Sequence, residues 1–95
     1  MNITREQIIE ALKKVKDPEV GIDLWTLGLI YDIKIEDDGV DILMTLTSPF
    51  CPFGNEIVVS VEEAIQKIGV EEVRVDVTFE PAWEPTPELR TMLGI

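Results

Sequence analysis

Three stretches of the chain alternate apolar and polar residues with a period of two, and two others repeat apolar residues at helical spacing. Thr4 followed by Gln7 carries the signature of a capping box. Ile8, Leu12 and Val15 then recur on one face, with Ile9 widening the stripe. Asp17-Pro18 predicts the end of this first helix, because the residue before proline avoids helical dihedrals, so the helix is expected over 5–16. A loop over 18–28 leads into the first alternating run, with Leu29, Tyr31, Ile33 and Ile35 inward and Asp32, Lys34 and Glu36 outward. Asp37-Asp38-Gly39 reads as a hairpin turn. The second run sets Val40, Ile42, Met44 and Leu46 inward and Asp41, Thr45 and Thr47 outward.

After a loop over 48–54, a second helix is marked by Ile57, Val61, Ala64, Ile65 and Ile68, with Gly69 where a left-handed terminating glycine belongs. The third strand alternates Val73, Val75, Val77 and Phe79 against Arg74, Asp76, Thr78 and Glu80. In the tail, Pro87 opens a last short helix carrying Leu89, Met92 and Leu93. The order α-β-β-α-β predicts an α+β fold. The first two strands form an antiparallel hairpin, and the second and third, joined through a helix, pair in parallel by a right-handed crossover. A small mixed sheet of at least three strands is expected, with the helices packed on its apolar face. Residues 1–95 fit a single domain.

Charge narrows the partners. Nineteen acidic residues against eight basic ones give a net charge of −11, which repels phosphate backbones and anionic headgroups. No nucleic acid and no membrane are therefore expected as partners. A basic protein or a metal cation suits the surface better, although such a charge also serves simple solubility. The longest uncharged stretch, 42–55, is too short and too proline-broken to span a bilayer. No secretory leader is legible, and a cytoplasmic location is expected. A 95-residue chain has little core. With neutral Leu43, Thr45 and Thr47 on the polar side of the sheet, a homodimer is expected.

Cys51 is the single cysteine, and there is no histidine. An internal disulfide, a Cys-x-x-Cys pair, a zinc site of the Cys/His type and any imidazole-based triad are thereby excluded. Cys51 lies between a strand end and a helix start, where backbone amides favour a thiolate. Pro49 and Pro52 stiffen its loop, and Thr45, Thr47 and Ser48 bring hydroxyls beside it. Two readings of Cys51 stand: a reactive thiol, or a buried and inert one. The Pro-x-Cys-Pro setting favours the first. Asp17 and Glu19, in Asp17-Pro18-Glu19, could orient a metal or dock a partner; as bare acids they read as solvated. Trp83 either covers the cysteine loop or caps the core, and capping is the commoner role of such a tryptophan.

Asp17-Pro18-Glu19, then Leu27-Gly28-Leu29-Ile30-Tyr31-Asp32, then Thr45-Leu46-Thr47-Ser48-Pro49-Phe50-Cys51-Pro52, then Pro81-Ala82-Trp83 follow one another in this order. Together they resemble the metal–sulfur cluster biosynthesis family that includes SufT and PaaD. Thr26, Phe50 and Ala82 depart from its usual residues. The resemblance implies an α+β fold and a role in maturing iron–sulfur proteins. It places the family's characteristic cysteine at Cys51, its acids at Asp17 and Glu19, and its threonines at Thr45 and Thr47. The implied partners are iron–sulfur assembly proteins and apo-client proteins. A cluster usually takes four thiolates, so no stably bound cofactor is expected; Cys51 would ligate metal only in a shared or transient cluster. A non-catalytic adaptor is the alternative. A one-cysteine thiol enzyme is disfavoured, since the chain lacks a histidine base and a resolving cysteine.

Overall fold

The computed structural model describes residues 3–47 and 54–94. Among them the elements run α1 (Arg5–Leu12), β1 (Ile30–Ile35), β2 (Val40–Met44), α2 (Gly54–Gln66), β3 (Val73–Val77) and α3 (Pro87–Leu93). The sheet order is β1-β2-β3, with β1 antiparallel and β3 parallel to β2. The mixed α+β architecture expected from the periodicities is present, and the last short helix completes it.

The capping box at α1 is complete: Thr4 Oγ1 accepts from Gln7 N at 3.2 Å, and Gln7 Oε1 accepts from Thr4 N at 2.9 Å. The helix ends earlier than Asp17-Pro18 suggests. Regular helix stops at Leu12, after which Lys14 N and Val15 N turn back onto Ala11 O and Leu12 O. This places Val15 in the core and lets Lys16 bridge Asp23. At the other end of the chain, Thr86 caps α3, with its Oγ1 accepting from Leu89 N at 3.2 Å, and Pro87 occupies the first turn.

The core lies between the sheet and helices α1 and α2. Ile8 and Leu12 of α1, Val40, Ile42 and Met44 of β2, and Ile57, Val61 and Ile65 of α2 are all buried. Full burial of such a side chain stabilises by about 1.5–3 kcal/mol. Leu89 of α3 joins the same cluster.

Two details depart from simple alternation. A bulge lies between Ile30 and Asp32, so Ile30 pairs with Met44 while Asp32 pairs with Leu43. One extra residue reverses strand parity. Ile30, rather than Tyr31, therefore takes the inward position, and Ile30 and Ile33 pack against the core. At the sheet's margins the expected inward residues Ile35, Val77 and Phe79 stay 40%, 39% and 39% exposed, and β3 ends at Val77, before Phe79.

The β1–β2 connection is a four-residue turn with Glu36 N bonded to Gly39 O at 2.8 Å. Gly39 does not carry a positive φ. Its role is close approach: a Cβ there would lie 2.4 Å from Glu72 O, the carbonyl that accepts from Val40 N at 2.9 Å. The glycine thus lets the start of β2 come against the chain entering β3.

Candidate functional site

The predicted site segments converge on one end of the sheet through a ladder of backbone bonds. Leu24 N donates to Val15 O at 2.9 Å, Leu29 N to Leu24 O at 3.1 Å, and Thr45 N to Leu29 O at 2.8 Å. The loop carrying Asp17 and Glu19, the 24–29 turn and the end of β2 are therefore stitched together. Thr78 N donates to Met44 O at 2.8 Å and extends the ladder to the chain leaving β3. This is the carboxyl end of the parallel pair β2/β3, the edge where α/β folds place their ligands.

The tail closes over the same end. Trp83 Nε1 donates to Leu27 O at 2.6 Å, and Tyr31 Oη donates to Pro81 O at 2.7 Å. Trp83 is half-buried against the core cluster, so it takes the capping role and ties the Pro81–Trp83 segment to the Leu27–Tyr31 segment. Sequence patterning does not reveal either bond, because both accept on backbone carbonyls.

Asp17 and Glu19 part company. Glu19 is exposed, whereas Asp17 is fully buried, which corrects the reading of both as solvated acids. Oδ1 of Asp17 accepts from Glu19 N at 2.8 Å, its backbone N donates to Ile22 O at 3.0 Å, and its carbonyl accepts from Gly21 N at 2.8 Å. Oδ2 is buried and has no hydrogen-bond partner among the described residues. A buried carboxylate oxygen left in this state is unfavourable, and such exceptions concentrate where function outweighs stability.

Thr45 is also fully buried, although its strand position predicted an outward side chain. Among the described residues its Oγ1 donates only to Leu46 O, at a long 3.4 Å. Thr47 is half-buried. Gly54 opens α2 against Leu46, where an added Cβ would come within 3.0 Å of Leu46 Cδ1. Ser48, Pro49, Phe50, Cys51 and Pro52 lie outside the described residues. Thr47 and Gly54, which bracket them in sequence, thus belong to the end of the domain that holds Thr45. Among the described residues, no group of three or more acidic or cysteine side chains is placed to hold a metal ion, and no helix is long and apolar enough to cross a membrane. A hollow of about 600 Å³ between α1 and α2 contains none of the predicted site residues.

The family model described as iron–sulfur cluster assembly protein matches residues 5–79. An Fe-S protein maturation auxiliary factor of Porphyromonas gingivalis is 42% identical over 84% of this chain and 78% of its own. The Fe-S protein maturation auxiliary factor SufT of Staphylococcus aureus is 39% identical over 73% of this chain and 81% of its own. A conserved hypothetical protein from Thermotoga maritima is 48% identical and superposes with a TM-score of 0.86, covering 98% of this chain and 96% of that one.

Proposed function

The chain belongs to the iron–sulfur cluster assembly protein family, and we propose that it is a cytoplasmic maturation factor that helps pass a cluster to apo-proteins through Cys51. It acts by binding and positioning, without catalysis. The observation that carries this reading is the buried Asp17 carboxylate, whose Oδ2 has no partner among the described residues, at the same end of the sheet as the strand that leads to Cys51.

The chemistry sets the mode of action. A cluster usually takes four thiolates, and one chain supplies one. The other ligands must come from an apo-client, an assembly protein, a small thiol or a second copy. Cargo held this way is labile, which suits transfer better than storage. The amides at the start of α2 favour a thiolate nearby. Thr45, Thr47 and Ser48 supply hydroxyls to the same segment, and Asp17 and Glu19 supply negative charge that favours a metal cation. Trp83 holds the tail against the turn that supports this end.

The reading is tested by replacing Cys51 with serine in cells and assaying the activity of iron–sulfur enzymes, alongside visible spectroscopy of the wild type after anaerobic reconstitution. Loss of maturation together with a labile chromophore is expected. Full maturation by Cys51→Ser would show that the chain works as an adaptor with no role for its thiol.

A further inference from the structure

We infer that the helix-free face of the sheet is a self-complementary surface that pairs with a second copy of the chain about one particular two-fold axis. Cross-strand partners share a face of a sheet. The register therefore sets two adjacent rows on the face opposite Val40, Ile42 and Met44. One row is Lys34, Asp41 and Arg74; the other is Asp32, Leu43 and Asp76. Leu43 is 37% exposed, and Asp32, Lys34 and Asp76 are exposed. Arg74 is held in place by Asp41 and by Asp38, the latter at 3.4 Å. The hydrogen bond to Asp41 raises the Arg74 pKa above its ordinary value, so the guanidinium stays charged.

Along the rows the charges read plus, minus, plus and then minus, neutral, minus. Two in-plane two-fold axes keep the strands of two copies packed face to face aligned with one another. An axis parallel to the strands sets β1 over the partner's β3. Lys34 then meets a second Arg74, Asp41 meets Asp41, and Asp32 meets Asp76, which is repulsive at every charged position. An axis perpendicular to the strands and midway between the rows sets each row over the other. Lys34 then meets Asp32, Arg74 meets Asp76, and Leu43 covers the Asp41 already neutralised by its own Arg74. An isologous contact makes each pair twice, giving four intermolecular ion pairs and no like-charge contact. The two rows together carry two cations and three carboxylates, and Asp38 beside Arg74 and Glu62 at the border of the hollow these rows line bring the local charge to −3 in a chain of net −11, so most of the charge that keeps two such acidic chains apart lies elsewhere.

The same axis turns the Thr45 ends of the two chains in opposite directions. Each site is left open, and the two cannot share one cluster. The pairing deepens the self-association that the proposed function allows, but it needs no iron. Six side chains in two rows cover less than the roughly 800 Å² per partner of a standard stable interface, so the dimer is weak and must be read at high protein concentration.

Sedimentation equilibrium in about 0.15 M salt, where distant repulsion is screened beyond ~8 Å, tests the inference without iron or sulfide. The wild type is expected to self-associate. Lys34→Glu and Asp32→Lys should each weaken association by roughly tenfold, since each turns two exposed ion pairs into repulsions. An equimolar mixture of these two variants should pair again, because each then meets a partner of opposite charge at both positions. Both positions are exposed, and circular dichroism checks that each variant is folded. Asp32→Lys also lowers the net negative charge by two, so stronger association of that variant would show net charge in control and overturn the assigned face. Wild-type association unchanged by the variants, or a mixture that stays monomeric, would likewise overturn it. A strictly monomeric wild type would overturn the pairing itself while leaving the role of Cys51 standing.

Discussion

Trp83 donates its indole N–H to the carbonyl of Leu27 at 2.6 Å, joining two segments 56 residues apart. With Tyr31 bonded to Pro81 at 2.7 Å, this bond is how the tail is held to the turn beneath the candidate site.

Removing the donor should be measurable. Trp83→Phe keeps an aromatic ring but leaves the Leu27 carbonyl without its partner, a loss of about 1–2 kcal/mol. Trp83→Ala also removes the half-buried ring and should lose more, about 3 kcal/mol. Urea denaturation checks both. Equal stability of Trp83→Phe and the wild type would show that water replaces the bond.

Gly39 gives a prediction whose sign separates two accounts of the same residue. Glycine to alanine at an unstrained position stabilises by about 0.4–1 kcal/mol through the unfolded chain. Here an added methyl would meet Glu72 O at 2.4 Å. Gly39→Ala should therefore destabilise, by roughly 1–3 kcal/mol as for other overpacked sites. A stabilised variant in the same denaturation assay would mean that the β2–β3 junction relaxes freely.

The thiol should behave as an activated one. Cys51 precedes α2 by three residues in the sequence, and the amides that open a helix favour an anion. The net charge of −11 opposes ionisation, but salt screens charges beyond ~8–10 Å, whereas the amides act at short range. Thiol alkylation across pH should report an apparent pKa below the ~8.5 of free cysteine. Labelling only after unfolding would identify Cys51 as a packing residue.

Much of the fold was legible because its elements obey one period each. Ile57, Val61 and Ile65 are buried at helical spacing, and Val40, Ile42 and Met44 at strand spacing. What patterning misses is what depends on tertiary contact. The bulge at Tyr31 exists because one residue exceeds the register against β2, and no local signal marks it. Asp38-Gly39 reads correctly as a turn, yet the glycine is required by Glu72, thirty-three residues away. At the site, the four motif segments are visible in sequence, but their convergence rests on backbone bonds from Val15 to Leu24, Leu29 and Thr45. The burial of Asp17 and Thr45 runs against what polar residues in loops and on outward strand positions imply.

Asp17 offers the sharpest separation of stability from function. Its Oδ1 is used locally, accepting from Glu19 N at 2.8 Å, while Oδ2 is buried and without a partner among the described residues. Were Asp17 a structural residue, Asp17→Asn should destabilise, because the local bond would weaken and nothing would be gained. Were it held for function, removing the charge relieves an unfavourable burial. The retained amide oxygen still accepts from Glu19 N. Asp17→Asn should then be at least as stable as the wild type in urea, to within about 1 kcal/mol, and yet be impaired in maturing iron–sulfur enzymes in cells. Asp17→Ala is the companion variant. It deletes the local acceptor and should lose about 1–2 kcal/mol. An Asp17→Asn protein that is destabilised by that amount but matures its clients normally would place Asp17 in the architecture of the loop and take it out of the site.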